Sequence, residues 1–299
     1  MRLSNLLRPW KAQIARVARV MDKVLARAER AGPCCTRRRL DLSSDRYIIF
    51  SDLHRGTRNA SDDFRNNERA YNAALAYYYR MGHTLIVLGD AEELWEERPE
   101  PVLATYRHSI ELEARFHQAG RYVRIWGNHD DLWQCVDRVA ELLAPLYGDP
   151  PLEVYEALLL EVRDNGTRLG DLFCVHGHQG DRKSSQWSWF TRYIIRFLWR
   201  PVQRLFKISI ETPARDWYLE HRLHRALYEW AKHQQDLILI TGHVHAPVFE
   251  SYSLEARIKA ELKNLQEKAG ETATPAQIED QALTLARLEW ARVKERKRR

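Results

Sequence analysis

Five short segments of the sequence combine histidine with carboxylate or amide side chains. They read SDLHRG, GDAEELWE, GNHD, VHGHQGD and TGHVHAP, and begin at Ser51, Gly89, Gly127, Val175 and Thr241. Together they hold six of the twelve histidines. Carboxylate and amide oxygens combined with imidazole nitrogens suit Mn²⁺, Fe or Zn²⁺. The composition of these segments therefore predicts a metal site.

The elements that must position these segments are predicted strands. From Arg46 onwards, short apolar runs alternate with longer amphipathic stretches, which is typical of an α/β sheet. The predicted strands are RYIIF, TLIVL, YVRIW, ALLLEV, LFCV and LILIT. The carboxyl ends of strands in such a sheet face one crevice, so residues far apart in sequence can converge there. The turn DNGT between the fourth and fifth strands predicts an antiparallel hairpin, and hence mixed sheets.

Each segment also has a simpler interpretation. Asn, Asp and Gly are common in turns, a single histidine is more often structural than a ligand, and Asp130 could cap a helix over DLWQCVDRVAELLAPL. Five such coincidences at the ends of consecutive elements favour a common site over five separate turns.

The ordered motifs D-x-H, G-D, G-N-H-D, H-G-H and G-H-x-H resemble those of the calcineurin-like metallophosphoesterase superfamily, over residues 51 to 247. This resemblance implies a four-layer α/β/β/α sandwich with mixed sheets around two divalent metal ions. We expect Mn²⁺, with Fe or Zn²⁺ as alternatives. The implied ligands are Asp52, His54 and His245 for the first metal, Asn128, His176 and His243 for the second, and Asp90 as a bridge.

The same resemblance implies the catalytic roles. A hydroxide bridging the metals would attack phosphorus, His129 would act as general acid, and Asp130 would orient His129. His178 is the alternative to His176 as a ligand, or contacts substrate, and Asp181 could orient a ligand histidine. Arg55 is a candidate for substrate binding or for support of the ligands.

A predicted helical insertion at residues 182–235 interleaves aromatic with basic residues beside the crevice. Such segments suit lipid interfaces. The arrangement is similar to the branch of UDP-2,3-diacylglucosamine pyrophosphatases, which implies a lipid-linked substrate. The alternatives are a nuclease or cyclic-nucleotide phosphodiesterase, and a nucleic-acid-binding protein with an inactive metal site.

The phosphoesterase domain is predicted at residues 46–251, between two helical extensions. Residues 1 to 30 predict a basic amphipathic helix that either docks on the domain or lies on a membrane. Residues 31–39 are predicted to be a linker. The helix and the linker belong to a predicted N-terminal extension at residues 1–45. Residues 252–299 predict a C-terminal helical hairpin.

Composition limits the class of protein. With 299 residues, 44% hydrophobic and 29% charged, the chain can bury a large core. The four cysteines form no C-x-x-C pair, so we expect reduced thiols. Without an apolar run long enough for a membrane span or signal peptide, we expect a cytoplasmic protein, with peripheral contact to the inner membrane face as an alternative. The net charge of +6 suits an anionic partner, whether a phosphorylated or pyrophosphate-containing substrate, an anionic membrane or nucleic acid, without choosing among them. We expect nucleic acid least, because every metal-ligand position of the motifs is filled.

Overall fold

The computed structural model describes residues 3–60, 62–180 and 217–243. Within these ranges two four-stranded sheets lie face to face, and helices cover both outer sides. The strands are β1 (Cys35–Asp41), β2 (Tyr47–Phe50), β3 (Thr84–Leu88), β4 (Tyr122–Ile125), β5 (Val154–Tyr155), β6 (Ala157–Asp164), β7 (Thr167–Val175) and β8 (Leu237–Ile240). The α-helices are α1 (Leu3–Arg30), α2 (Glu68–Arg80), α3 (Pro99–Thr105), α4 (Arg107–Gln118), α5 (Val136–Arg138), α6 (Ala144–Tyr147) and α7 (Trp217–Lys232).

One sheet, called here the parallel sheet, has the strand order β2-β3-β4-β5, and all its neighbours run parallel. Its central strand β3 is apolar from Leu85 to Leu88, as is usual for a parallel strand buried on both faces, while β4 carries the buried Arg124 among apolar residues. Leu85 and Val87 of β3 face a core shared with α2, α3, α4 and α6. Among the described residues this sheet contains no antiparallel pair, so the predicted mixture of strand directions comes from the other sheet.

The other sheet, called the mixed sheet, has the order β1-β6-β7-β8. Among its described strands the antiparallel pair is β6 with β7, joined at Asn165 and Gly166, which have positive φ angles of 48° and 83°. Such angles at both central positions suit the tight turn of a hairpin. The hairpin predicted from DNGT is confirmed.

The two sheets share an apolar layer that makes them one sandwich. Leu158, Leu160 and Cys174 of the mixed sheet pack with Ile86 and Ile125 of the parallel sheet, all of them buried. With the helices outside, this arrangement gives the α/β/β/α architecture that the motifs predicted.

The helix α1 docks on the outer face of the mixed sheet. Val17, Met21, Val24 and Ala28 recur three and four residues apart, and all four are fully buried. They pack against β6, β7 and α7, where the indole N–H of Trp230 donates to Asp22 over 2.8 Å. The docking alternative is confirmed for this stretch, and membrane contact through the same apolar face is not supported. Among the described helices, none combines the length and apolar character that a membrane crossing requires.

The predicted linker at residues 31–39 is wrong from Cys35 onwards. Strand β1 pairs in parallel with β6 from Cys35 opposite Ala157 to Asp41 opposite Arg163. The sequence CTRRRLD lacks the apolar pattern of a strand because three of its seven residues are arginines, and charged residues are common on edge strands.

The helix predicted after GNHD is broken into short pieces. It begins as a 3₁₀ turn (Asp131–Gln134) and continues through α5, a π-helical turn (Val139–Leu143) and α6. The second half of the predicted insertion contains α7, which packs on the mixed sheet. The first half, residues 182–216, and the C-terminal hairpin at 252–299 lie outside the described residues, so the domain boundaries stay a prediction. All four cysteines are free thiols.

Candidate metal centre

The loops after β2, β3, β4, β7 and β8 come together at one end of the sandwich, as the motifs predicted. Backbone hydrogen bonds join neighbouring loops: the Asp52 N–H donates to Gly89, the His54 N–H to Asp90 and the Gly242 N–H to His176, over 2.9 to 3.1 Å. These bonds hold loops from both sheets in fixed register. The predicted ligands that meet here are Asp52, His54, Asp90, Asn128, His176 and His243.

Four of these residues have a strained backbone. The φ angles of Asp52, His54, Asp90 and His243 are 56°, 49°, 50° and 72°. Residues other than glycine rarely adopt this left-handed region, and such strain concentrates at functional sites. The strain turns consecutive side chains of each loop towards the same point.

Asp90 lies at the centre of two ligand groups. Its Oδ2 is 3.0 Å from His176 Nε2 and 3.9 Å from His54 Nε2. Ligand atoms of Asp52, His54 and Asp90 lie within 4.8 Å of one another, and so do those of Asp90, His176 and His243. A single carboxylate therefore belongs to two adjacent sets of cation ligands.

Buried polar atoms in this centre suit a cation. Asn128 Oδ1 is buried without a hydrogen-bond partner among the described residues, which is costly unless something else binds it. Asp90 Oδ2 and His176 Nε2 are also buried, and they lie 3.0 Å from each other. His176 Nδ1 lies 2.9 Å from the Leu88 carbonyl and must donate to it, so Nε2 is the nitrogen left for a metal. A Cβ at position 127 would collide with Asp90 Oδ1, which explains the glycine of GNHD.

The charges in the centre also suit a bound cation. Burial raises the pKa of Asp90, but His176 and His129 outweigh burial and hold that pKa well below its usual range. Burial lowers the pKa of His176, while Asp90 raises it to a net value of about 9. Burial and His176 lower the pKa of His243 to about 3. The negative charge of Asp90 thus attracts protons to its neighbour, and a divalent cation would compete for the same position.

His129 is held by Glu93, a residue to which the sequence motifs gave no role. Its Nδ1 lies 2.9 Å from Glu93 Oε1, and Glu93 Oε2 lies 3.0 Å from His54 Nδ1. Burial lowers the pKa of His129, but Glu93 and Asp90 outweigh burial and raise it to about 9. Burial raises the pKa of Glu93, while His129 and His54 bring it down to about 2. The sequence signal for Glu93 was only its place in the motif GDAEELWE, which contains two further glutamates.

Asp130 does not orient His129, so that prediction is wrong. Its carboxylate accepts backbone N–H groups of Gly127, Ala91 and Asp90, over 2.6, 2.9 and 3.2 Å. It does not cap the following 3₁₀ turn with its side chain either. Burial together with Asp90 and Glu92 raises the pKa of Asp130 to about 6. Asp130 instead fixes the backbone of two ligand loops.

Arg55 cannot contact substrate, because its side chain is fully buried behind the centre. Its guanidinium pairs with Glu92 and Glu113, over 2.8 and 2.7 Å. Arg124, also fully buried, pairs with Glu92 and lies 3.7 Å from Asp130. These five residues form a buried ionic network. Sequence reasoning singled out Arg55 and Asp130 but missed Glu92, Glu113 and Arg124, because no local pattern marks a buried charge.

Of the two histidines in HGH, His176 is the one grouped with Asp90 and His243. His178 lies beside Trp126, with ring centroids 5.1 Å apart, and its ring is 5.5 Å from that of His176. Two predicted site residues, Asp181 and His245, lie outside the described residues.

Comparison with known proteins agrees with this geometry. The family model for the calcineurin-like phosphoesterase matches residues 46–247, which is more than half of the 299-residue chain. A search of curated proteins found no match. The matched segment begins just before β2 and contains every loop that contributes to the centre. The chain therefore belongs to the calcineurin-like phosphoesterase family and is a metal-dependent hydrolase of phosphoester bonds.

Proposed function

We propose that this protein is a phosphoesterase with a dinuclear metal centre in which Asp90 contacts both cations. The observation that carries this proposal is the membership of Asp90 in two ligand groups, each within 4.8 Å. Asp52 and His54 complete one group, and His176 with His243 completes the other. Mn²⁺ suits this mixture of carboxylate, amide and imidazole ligands, and Fe and Zn²⁺ are the alternatives.

When bound, the two cations supply an activated water nucleophile and neutralise charge on the phosphoryl oxygens. The chain itself supplies the proton for the leaving group. Because Glu93 occupies Nδ1 of His129 and raises the pKa of the ring, Nε2 is the nitrogen that donates to the leaving-group oxygen. Asp90 accepts the backbone N–H of His129 over 2.7 Å and so ties the acid to the metal ligands.

The substrate carries a phosphoester or pyrophosphate bond. The sequence resemblance favours a lipid-linked pyrophosphate such as UDP-2,3-diacylglucosamine, but the aromatic and basic segment behind this expectation lies at residues 182–216, outside the described residues. The lipid-linked compound is therefore one of the substrates to be tested, and the proposed function does not depend on it.

The test measures metal content and hydrolysis together. Metal-stripped protein is assayed with and without Mn²⁺ on 4-nitrophenyl phosphate, bis(4-nitrophenyl) phosphate and a UDP-linked acylated sugar. We expect two Mn²⁺ per chain and turnover that depends on them. In Asp90→Asn we expect fewer bound ions and a loss of turnover on the order of 100-fold or more, because removing a ligand should exceed the roughly 10- to 100-fold cost of losing an outer partner.

Asp137→Asn is the matched control, because Asp137 is exposed and lies outside both ligand groups. It should bind two ions and retain full activity. One bound ion per wild-type chain would contradict the dinuclear centre. Undiminished turnover in Asp90→Asn would remove Asp90 from its proposed role.

A further inference from the structure

Trp95 makes two contacts with the segment GNHD that metal binding does not explain. Its indole lies flat against the ring of His129, with centroids 4.1 Å apart and planes 20° apart. Its Nε1 donates to the backbone carbonyl of Asn128 over 2.5 Å. One side chain thus contacts both the general acid and the residue before it.

The contacts of Glu93 and His54 leave the plane of His129 incompletely defined. A hydrogen bond at Nδ1 fixes one ring atom, and the torsion that turns an imidazole about its Cβ–Cγ bond has broad minima. His54 stands nearly perpendicular to His129, at 81° and 4.7 Å between centroids. A parallel surface against one face is what prevents the ring from turning, and Trp95 provides it.

Trp95 is itself well anchored. The loop that carries it is tied to GNHD by the hydrogen bond from the Leu94 N–H to the His129 carbonyl, over 3.0 Å. The indole N–H bond to Asn128 then fixes the orientation of the Trp95 side chain.

We propose that Trp95 is a positioning residue that holds the plane of His129 so that Nε2 faces the leaving group. The inference rests on the proposed function, in which His129 is the general acid. It predicts that Trp95 affects proton donation and leaves metal binding unchanged.

The test compares Trp95→Leu, which removes the stack and the hydrogen bond, with Trp95→Phe, which keeps an aromatic face. General acid catalysis contributes roughly 10²- to 10⁴-fold. We therefore expect Trp95→Leu to lower kcat about 10- to 100-fold on alkyl phosphoesters, whose leaving groups need a proton, and by less than about twofold on 4-nitrophenyl esters. Trp95→Phe should recover most of the loss, and both variants should bind as much Mn²⁺ as the wild type.

Trp230→Phe is the matched control, because it also removes an indole hydrogen bond, to Asp22, on the outer side of the mixed sheet. It should leave the leaving-group dependence unchanged. Equal losses on both kinds of ester, or loss of metal in Trp95→Leu, would overturn the proposal, because Trp95 would then act on the metal site through Asn128.

A second measurement needs no enzymatic activity, so it separates this inference from the proposed function. Diethyl pyrocarbonate labelling of His129, followed by peptide mass spectrometry, should be several-fold faster in Trp95→Leu than in the wild type, and unchanged in Trp230→Phe. Equal labelling rates in all three proteins would overturn the positioning role even if the enzyme hydrolyses phosphoesters. The wild-type protein could also fail to hydrolyse any of the esters while His129 is still labelled faster in Trp95→Leu. That result would support the positioning role of Trp95 and contradict only the proposed function.

Discussion

Among the individual residues, Glu93 links the candidate ligand His54 to His129, because both of its carboxylate oxygens lie within 2.9 Å of His129 Nδ1 and Oε2 also lies 3.0 Å from His54 Nδ1. Glutamine at this position could accept a hydrogen bond with only one atom and would carry no charge. We expect Glu93→Gln to lower kcat on alkyl phosphoesters by roughly 10- to 100-fold, mainly by weakening His129 as an acid. The effect on 4-nitrophenyl esters should be much smaller.

A double-mutant cycle with His129→Ala tests whether Glu93→Gln lowers kcat through His129. If Glu93 acts through His129, the double variant should be about as slow as His129→Ala alone, since residues that act as a unit are not additive. Glu141→Gln, at an exposed position, is the control. Independent, multiplying losses would show that Glu93 acts chiefly on His54.

The convergence of the candidate metal ligands within the described residues could be predicted from the sequence, while the residues that support them could not. Each candidate ligand follows a strand in a short motif, so its position along the chain identifies it. GDAEELWE contains Glu92, Glu93 and Glu96, and spacing does not say which of them enters the site. Glu92 is fully buried with two arginines, whereas Glu93 reaches two histidines. Which glutamate faces the arginines and which faces the histidines depends on contacts with loops distant in sequence.

At the level of elements, α1 serves as a structural layer of the sandwich. Met21 is fully buried between the mixed sheet and α7. We expect Met21→Ala to lower the free energy of unfolding by about 2–5 kcal/mol, the usual cost of truncating a large buried side chain. Urea unfolding measures this loss. Arg19→Ala, on the exposed side of α1, should stay within about 0.5 kcal/mol of the wild type. A change that small in Met21→Ala would contradict the docking of α1.

All six strands predicted from the sequence are present, because each is an apolar run bounded by turn residues. Strand β1 escaped prediction because its arginine-rich sequence becomes a strand only through pairing with β6. The helix predicted after β4 failed for a related reason: Trp133, Val139 and Leu143 are buried at irregular spacing, so packing against the parallel sheet decides the local backbone. Local pattern predicts an element well only where packing agrees with it.

The whole molecule depends on the buried ionic network behind the metal centre. Glu113 accepts from Arg55 and from the hydroxyls of Tyr71, Tyr122 and Tyr147, and is fully buried. Burial raises the pKa of Glu113, but Arg55 and Arg124 outweigh burial and lower it below its usual value. A carboxylate whose folded pKa is lowered stabilises the protein above its unfolded pKa of about 4.3, and this stability is lost as pH falls through the folded pKa.

We therefore expect Glu113→Gln to cost about 3–5 kcal/mol of unfolding free energy at pH 7, because it leaves buried arginine charge without its partner. The cost should shrink as the pH falls below about 4, since the wild type then loses the same charge. Urea unfolding between pH 7 and pH 3 measures both values, with Glu111→Gln, an exposed carboxylate, as control. A cost that does not vary with pH would show that shape rather than charge accounts for it.

The docking of α1 on α7 also determines when the fold can be completed during synthesis. Val17 and Met21 leave the ribosome about two hundred residues before Leu227 and Trp230, with which they share a core. At roughly 5–20 residues per second, this separation corresponds to about 10 to 40 s. Throughout that interval the apolar stripe of α1 has no partner from α7 and can pack only on the strands of the mixed sheet that have already emerged. The outer layer of the mixed sheet closes only once α7 has emerged.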